Sequence, residues 1–330
     1  MTPTLEPLGS LPEEDARALD AIGPIWGQAI ERHRDRVMAA YTPLLERAPR
    51  EGLQAVRDIA YGPHPRQVLD VHTSDTTARD GPADVLVFIH GGAFVRGKKS
   101  VNGLIYDNVP VWFSRQGFVG VNVEYRLAPE APYPAGAEDL ARALGWLREN
   151  IAHHGGNPQR IFLMGHSAGG THVATLLFDP LFRHRPEREV AGAILVSARL
   201  ELDTLPGNPN AHGVRAYFGE DTALYPQRAP ASYPAGSDVP LMIVTAQYDN
   251  PYLDLYGTRF CAAVAQARGT MPRYIQMRRH NHTSTVAHFD SGEEYLGREV
   301  VAFARECQAT HQHRAAALET IVSSGGSSFL

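Results

Sequence analysis

Cysteine is nearly absent from this sequence: Cys261 and Cys307 are the two it holds in 330 residues. That excludes a small disulfide-stapled framework, and two buried thiols are expected rather than a bridge. Long apolar runs are missing too. The longest core-like pieces, Val85–Ile89 and Ala193–Val196, fall far short of the roughly 20 residues a helical membrane span needs. The N-terminal stretch has neither a cationic start nor an apolar segment of signal-peptide length, so a cytoplasmic setting is expected. An excess of positive charge is also lacking, the formal charge being −5. Nucleic acid is therefore not expected as a partner, because such binders present a basic face. No Walker pattern and no Gly-x-Gly-x-x-Gly spacing occur, which removes the usual phosphate cradles. Histidine is plentiful, at 15 residues, but His153-His154, His280-x-His282 and His311-x-His313 form no helical His-x-x-x-His pair with a glutamate. Neither a metal nor a cofactor is expected.

What is present is enough apolar residue, 43%, for a large core, with 30 Gly and 24 Pro for many turns. Val56–Tyr61 and Val68–His72 read as strands joined through Gly62-Pro63-His64-Pro65. Val85–Ile89, Phe118–Val123, Ile161–Met164, Ala193–Val196, Leu241–Thr245 and Tyr274–Met277 read as further strands. Their hydrophobicity is continuous rather than alternating, as strands buried on both faces require. Helical spacing recurs between them, at Ala137–Ile151, Ala168–Phe178, Tyr252–Ala267 and Glu293–Cys307. This alternation predicts an α/β fold with a mostly parallel central sheet covered by helices on both faces. The expected organisation is a helical arm at 1–50 forming part of a small cap, an α/β domain at 51–310, and a flexible tail at 311–330. In the arm, Pro24 interrupts the apolar stripe and Pro43 is expected to stop it. Within the main domain, 199–239 lacks clear periodicity and is rich in proline and aromatics, which predicts a lid or substrate-binding insertion. Arm and insertion are expected to pack over the strand ends and wall an apolar pocket.

Two motifs carry chemistry. Gly165-His166-Ser167-Ala168-Gly169-Gly170 lies between a buried strand and a helix. A serine hydroxyl must stand clear of the backbone to attack, and a sharp strand-to-helix turn achieves this where small residues relieve the crowding. Ser167 is the candidate nucleophile. His90-Gly91-Gly92-Ala93-Phe94 ends the strand at 85–89. Acyl transfer puts negative charge on a carbonyl oxygen, and glycines let backbone N–H groups approach it. Gly91, Gly92 and Ala168 are the candidate oxyanion-hole donors, with His90 pinning the loop. Arg126 and Glu124 are expected in structural ion pairs near a sheet edge, and Trp112, Trp146 and Phe162 in the core.

These motifs, with Tyr125-Arg126-Leu127-Ala128-Pro129-Glu130, stand in the order and spacing of a known group. Over residues 56–307 the chain resembles the α/β-hydrolase fold, and within it the esterases similar to hormone-sensitive lipase. Ala93 replaces a third glycine and His166 replaces an aspartate that are common there. Those two features look more like kynurenine formamidases and feruloyl esterases. The resemblance implies the chain order serine, acid, histidine. Asp249 follows the strand at 241–245, and Asp254 is its rival. The run Asp249-Asn250-Pro251 resembles the Asp-Ser-Pro segment of formamidase-type relatives, which favours Asp249. After the last strand come His280 and His282, which cannot both face the serine from an extended segment. The similarity to a His-Asn-His-x-Ser arrangement favours His282.

The implied catalytic set is Ser167, Asp249 and His282, acting without cofactor on a small-molecule carboxylic ester. The same set would serve an arylformamidase or a lactone or amide hydrolase. A non-catalytic ligand-binding protein on this fold is the competing class. Assembly into a homo-oligomer is left open by composition.

Overall fold

The computed structural model describes residues 3–325. Eight strands form one sheet: β1 (Gln54–Ala60), β2 (Val68–Thr73), β3 (Ala83–Ile89), β4 (Val119–Val123), β5 (Gly156–His166), β6 (Gly192–Val196), β7 (Leu241–Tyr248) and β8 (Arg273–Asn281). Their spatial order is β1-β2-β4-β3-β5-β6-β7-β8. β2 is antiparallel to both its neighbours, and every other pairing is parallel.

Among the described residues, ten α-helices accompany the sheet: α1 (Glu13–Ile22), α2 (Ile30–Glu46), α3 (Asn108–Arg115), α4 (Ala135–Asn150), α5 (Ala168–Phe178), α6 (Ala211–Phe218), α7 (Tyr225–Arg228), α8 (Leu253–Arg268), α9 (Ser284–Ala287) and α10 (Tyr295–Gly325). The double-faced burial read from the apolar runs is met residue by residue. Val85, Val87 and Ile89 of β3 join a core with α4, α5 and α8, through Leu144, Val173 and Phe260 among others. Leu86 and Phe88 point the other way, into a core with Trp112 and Phe113 of α3 and Leu296 and Val300 of α10. Both faces are dry.

From β3 the chain moves outward to β4, then crosses back to β5 on the other side of β3. Strand order reverses there, so the loops leaving β3 and β5 diverge and open a crevice at their C-terminal ends. The two sequence motifs sit on those two loops.

The arm folds as α1 and α2 around its own apolar cluster. Leu19, Trp26, Val37, Tyr41 and Leu45 pack with Ile105 and Ala287 of the main body. Pro43 does not stop the helix as expected; α2 continues to Glu46 with Pro43 inside it. Leu44 and Leu45 are buried in the arm cluster, and that packing holds the last turn despite the missing N–H. Another difference lies at the C-terminus, where α10 continues to Gly325 instead of giving way to a flexible tail at 311. The rest of that expected tail, 326–330, lies outside the described residues. Helix α3 was not legible at all, because nearly every residue in it is buried and no polar face marks a period. Cys261 and Cys307 are buried and free. Among the described residues, no helix is long and apolar enough to cross a membrane.

Candidate active site

Ser167 occupies the single position between β5 and α5, with φ 54° and ψ −120°. That conformation is strained for a residue with a Cβ, and the surroundings over-determine it. Its N–H donates to Val196 O at 2.9 Å, anchoring the turn to β6. The flanking glycines are required by crowding. A Cβ at Gly165 would lie 2.6 Å from Gly169 O, one at Gly170 2.7 Å from the Cβ of Ala198, and one at Gly169 would strike the Ile89 carbonyl.

The loop after β3 passes directly beside this turn, since a Cβ on Gly91 would lie 3.0 Å from the Ser167 Cβ. His90 pins the loop, as read from the sequence. Its Nδ1 faces Gly91 O at 2.7 Å, its Nε2 faces Glu124 Oε1 at 3.0 Å, and its ring stacks on Tyr125 with centroids 4.3 Å apart. The Tyr125 hydroxyl donates to His90 O at 2.8 Å. Burial works against ionisation of Glu124. Bonds from His90 and the Lys99 N–H and the charge of Arg66 outweigh it, holding its carboxyl below the usual range. Arg126 and Glu124 belong to separate structural pairs: Glu124 takes Arg66 and His90, while Arg126 takes Asp139 at 2.7 Å. The N–H groups of Gly92 and Ala168 meet no acceptor among the described residues. The Gly91 N–H lies against the Tyr106 hydroxyl.

His282 Nδ1 donates to Asp249 Oδ1 at 2.7 Å. The carboxylate accepts three further bonds, from Ser197 Oγ at 2.7 Å and the N–H groups of Ala246 at 3.1 Å and Asn250 at 2.9 Å. Burial alone would raise the Asp249 pKa, but the bond and charge of His282, with Ser197 and Ala246, bring it below the ordinary value. The rivals stand elsewhere. Asp254 is exposed on α8, where its carboxylate accepts from Leu255 N. His280 turns away into a fully buried pair with Glu293, at 2.7 Å from Nε2.

A cavity of about 290 Å³ brings Gly91, Gly92, Ser167 and His282 together, with Asn250 and His166 also on its wall. The arm supplies Ile30, Arg34 and Met38 to this wall, whereas 199–239 supplies Asn210. The insertion instead clamps the β3 loop from behind. Tyr217 of α6 stacks on Phe94 at 5.0 Å, and a Cβ at Gly213 would strike Ala93 O.

Two residues of this site escaped sequence reasoning, and a third, His166, stands there only as a departure from a family pattern. Ser197, at φ 49°, directly follows β6 and holds the acid. Trp26 holds Asn250 through a bond of 2.8 Å. His166 donates from Nε2 to His282 O at 3.0 Å while its Nδ1 faces the Tyr106 hydroxyl at 3.3 Å. Burial, reinforced by the charge of His282, lowers its pKa to about 3, so it acts as a neutral ring. No local pattern marked Ser197. None existed for Trp26.

Outside the site, Asp70, His72 and Asp107 bring possible metal-ligand atoms within 4.8 Å of one another. Lys99 Nζ already takes both Asp70 oxygens at 2.8 Å and Arg57 lies 3.0 Å from one of them, so the cluster carries its own counter-charge.

Fold and site together define the class: a doubly covered, mostly parallel sheet with a strained serine turn at its reversal point. The family model described as the alpha/beta hydrolase fold matches residues 86–271, and the chain belongs to that family. It is 26% identical over 298 residues to Esterase LipQ of Mycobacterium tuberculosis, covering 82% of this chain and 69% of that protein. It is 33% identical over 149 residues to Carboxylesterase 1D of Rattus norvegicus, covering 42% of this chain and 26% of that protein. The chain thus spans about a quarter of the second relative's length. Among solved structures, an inhibited esterase B from Lactobacillus rhamnosis superposes with a TM-score of 0.69 at 21% identity, covering 93% of this chain and all of the other. At that identity the likeness is one of fold.

Proposed function

We propose that this protein is a carboxylic ester hydrolase working through an acyl-enzyme on Ser167. The observation that carries the reading is the His282–Asp249 bond of 2.7 Å behind a cavity onto which the strained Ser167 also opens. With Nδ1–H committed to the carboxylate, Nε2 of His282 is left as the base toward the cavity. Ser167 Oγ attacks the acyl carbon as His282 takes its proton. The oxyanion is met by the N–H groups of Gly92 and Ala168, with Gly91 beside them. His282 then protonates the leaving alcohol, activates a water and returns its proton to Ser167 as the acid departs. Asp249, held ionised, keeps the imidazole in the working tautomer and stabilises its protonated form. A complete serine, histidine and acid set favours turnover over ligand binding alone. A cytoplasmic setting suits the two free thiols.

Burst release of p-nitrophenol from a short-chain p-nitrophenyl ester tests the acyl-enzyme. Ser167→Ala is expected to lower turnover at least roughly a thousandfold and to abolish organophosphate labelling, with an unchanged circular dichroism spectrum. Labelling that persists at another serine would overturn the assignment.

A further inference from the structure

The cavity above Ser167 is lined by two cationic side chains, Arg34 of α2 and Arg96 of the β3 loop, and by no Asp or Glu. The two arrive from segments far apart in sequence, one on the arm and one on the loop that also bears Gly92. Arg34 meets Asp35 at 3.0 Å, but that carboxylate is 62% exposed, so solvent screens the pair. Arg96 has no carboxylate partner among the described residues. Both charges are felt inside the pocket. Burial raises the Tyr106 hydroxyl pKa to about 12 on the same wall, and Arg34 and Arg96 each pull against that rise. A neutral ester offers such a pair of guanidiniums carbonyl acceptors but no counter-charge. A carboxylate matches their planar donor forks and is the commonest partner for that geometry.

We propose that the site takes esters bearing a carboxylate, seated between Arg34 and Arg96 while the ester carbonyl meets Ser167. This rests on the reading of Ser167 as nucleophile. The anionic group belongs either to the acyl part, as in a monoester of a short dicarboxylic acid, or to the alcohol part, as in an acylated hydroxy acid. In the first case, water added across the acyl–oxygen bond gives a diacid and an alcohol. In the second it gives a fatty acid and a hydroxy acid.

The test compares kcat/KM by pH-stat within two near-isosteric pairs. Monoethyl glutarate against ethyl valerate places the charge on the acyl side, and butyryloxyacetate against propyl butyrate places it on the alcohol side. The anionic member of at least one pair is expected to win by about tenfold or more. The double variant Arg34→Gln/Arg96→Gln should lower that anionic-to-neutral ratio by at least about tenfold, and Arg34→Lys/Arg96→Lys should keep part of it. Raising the salt from 0.05 to 1 M KCl should shrink the ratio in the wild type. Neutral members equal or better in both pairs, or a ratio that survives the glutamine variant, would overturn the proposal. Calorimetric titration of the Ser167→Ala protein with the same two anionic esters reads the preference without hydrolysis. Binding there with no hydrolysis by the wild type would sink the nucleophile and keep the anion site. Hydrolysis with no discrimination by charge would do the reverse.

Discussion

Trp26 Nε1 donates to Asn250 Oδ1 at 2.8 Å, joining positions 224 residues apart. Asn250 N in turn donates to Asp249 Oδ1, and Asn250 lines the cavity with Ser167. The N-terminal arm is thereby tied to the loop that holds the acid.

Replacing Trp26 by Phe keeps most of the ring packing and removes the donor. Asn250 Oδ1 is then buried without its partner, at a cost of about 1–3 kcal/mol. The expected outcome is a lower melting temperature together with a kcat/KM reduced roughly tenfold as the acid loop loosens. A drop in melting temperature with unchanged kinetics would show that the arm covers the surface without tuning the site. Deleting 1–40 outright would also remove most of the arm's apolar cluster, so a truncation confounds the two effects.

The two aspartates after β7 give a clean contrast. Asp249→Asn should lower kcat by roughly 10⁴-fold, because the amide donates where His282 needs an acceptor and so selects the wrong tautomer. Asp254→Asn should change kcat less than about twofold, since its carboxylate is exposed and bonds only locally. Steady-state kinetics on one short ester suffice. The reverse ranking would transfer the role to Asp254.

Gly213 sits inside α6, where Ala would ordinarily stabilise the helix by up to about 1 kcal/mol. Here its Cβ would strike Ala93 O, so α6 or the β3 loop has to move. Gly213→Ala is expected to lower kcat about ten- to a hundredfold by displacing the Gly91–Gly92 donors, with KM for a short ester changed less. A more stable and equally active variant would mean that α6 yields and the loop does not.

His172 is buried among Phe94, Tyr125 and Tyr217 with neither ring nitrogen partnered among the described residues. Burial, with the nearby charge of His90, lowers its pKa to about 3. Below about 6.5 the unfolded chain binds a proton that the folded one refuses, so stability falls as pH drops from there toward 3. The slope is on the order of 1.4 kcal/mol per pH unit for each such group. His166 acts in the same direction, also at about 3, and His288 at about 4. Asp249 adds to the loss only at lower pH, because its depressed pKa keeps its contribution intact down to the ordinary carboxyl pKa and loses it below that. His172→Leu, similar in volume, should flatten the loss in urea midpoint between pH 6 and pH 4. An identical slope would mean that His172 is charged, or solvated, in the folded protein.

The sequence by itself determined what is contiguous. A strained serine turn needs its glycines within a few positions, and Gly165, Gly169 and Gly170 are there because backbone and Cβ atoms of adjoining segments leave no room for more. Strand runs such as Val85–Ile89 were equally plain, since burial on both faces leaves no polar alternation to misread. The choice within each candidate pair was different in kind. Asp249 rather than Asp254, and His282 rather than His280, could be favoured only through a resemblance. In the structure those orientations depend on Ser197 holding the Asp249 carboxylate and on Glu293 drawing His280 away. Neither partner is marked by any local pattern. The same is true of the cavity's charge, which joins Arg34 to Arg96 across 62 positions of chain. Such pairings are decided by tertiary structure, because side-chain electrostatics act over a few ångströms of space and are blind to separation along the chain.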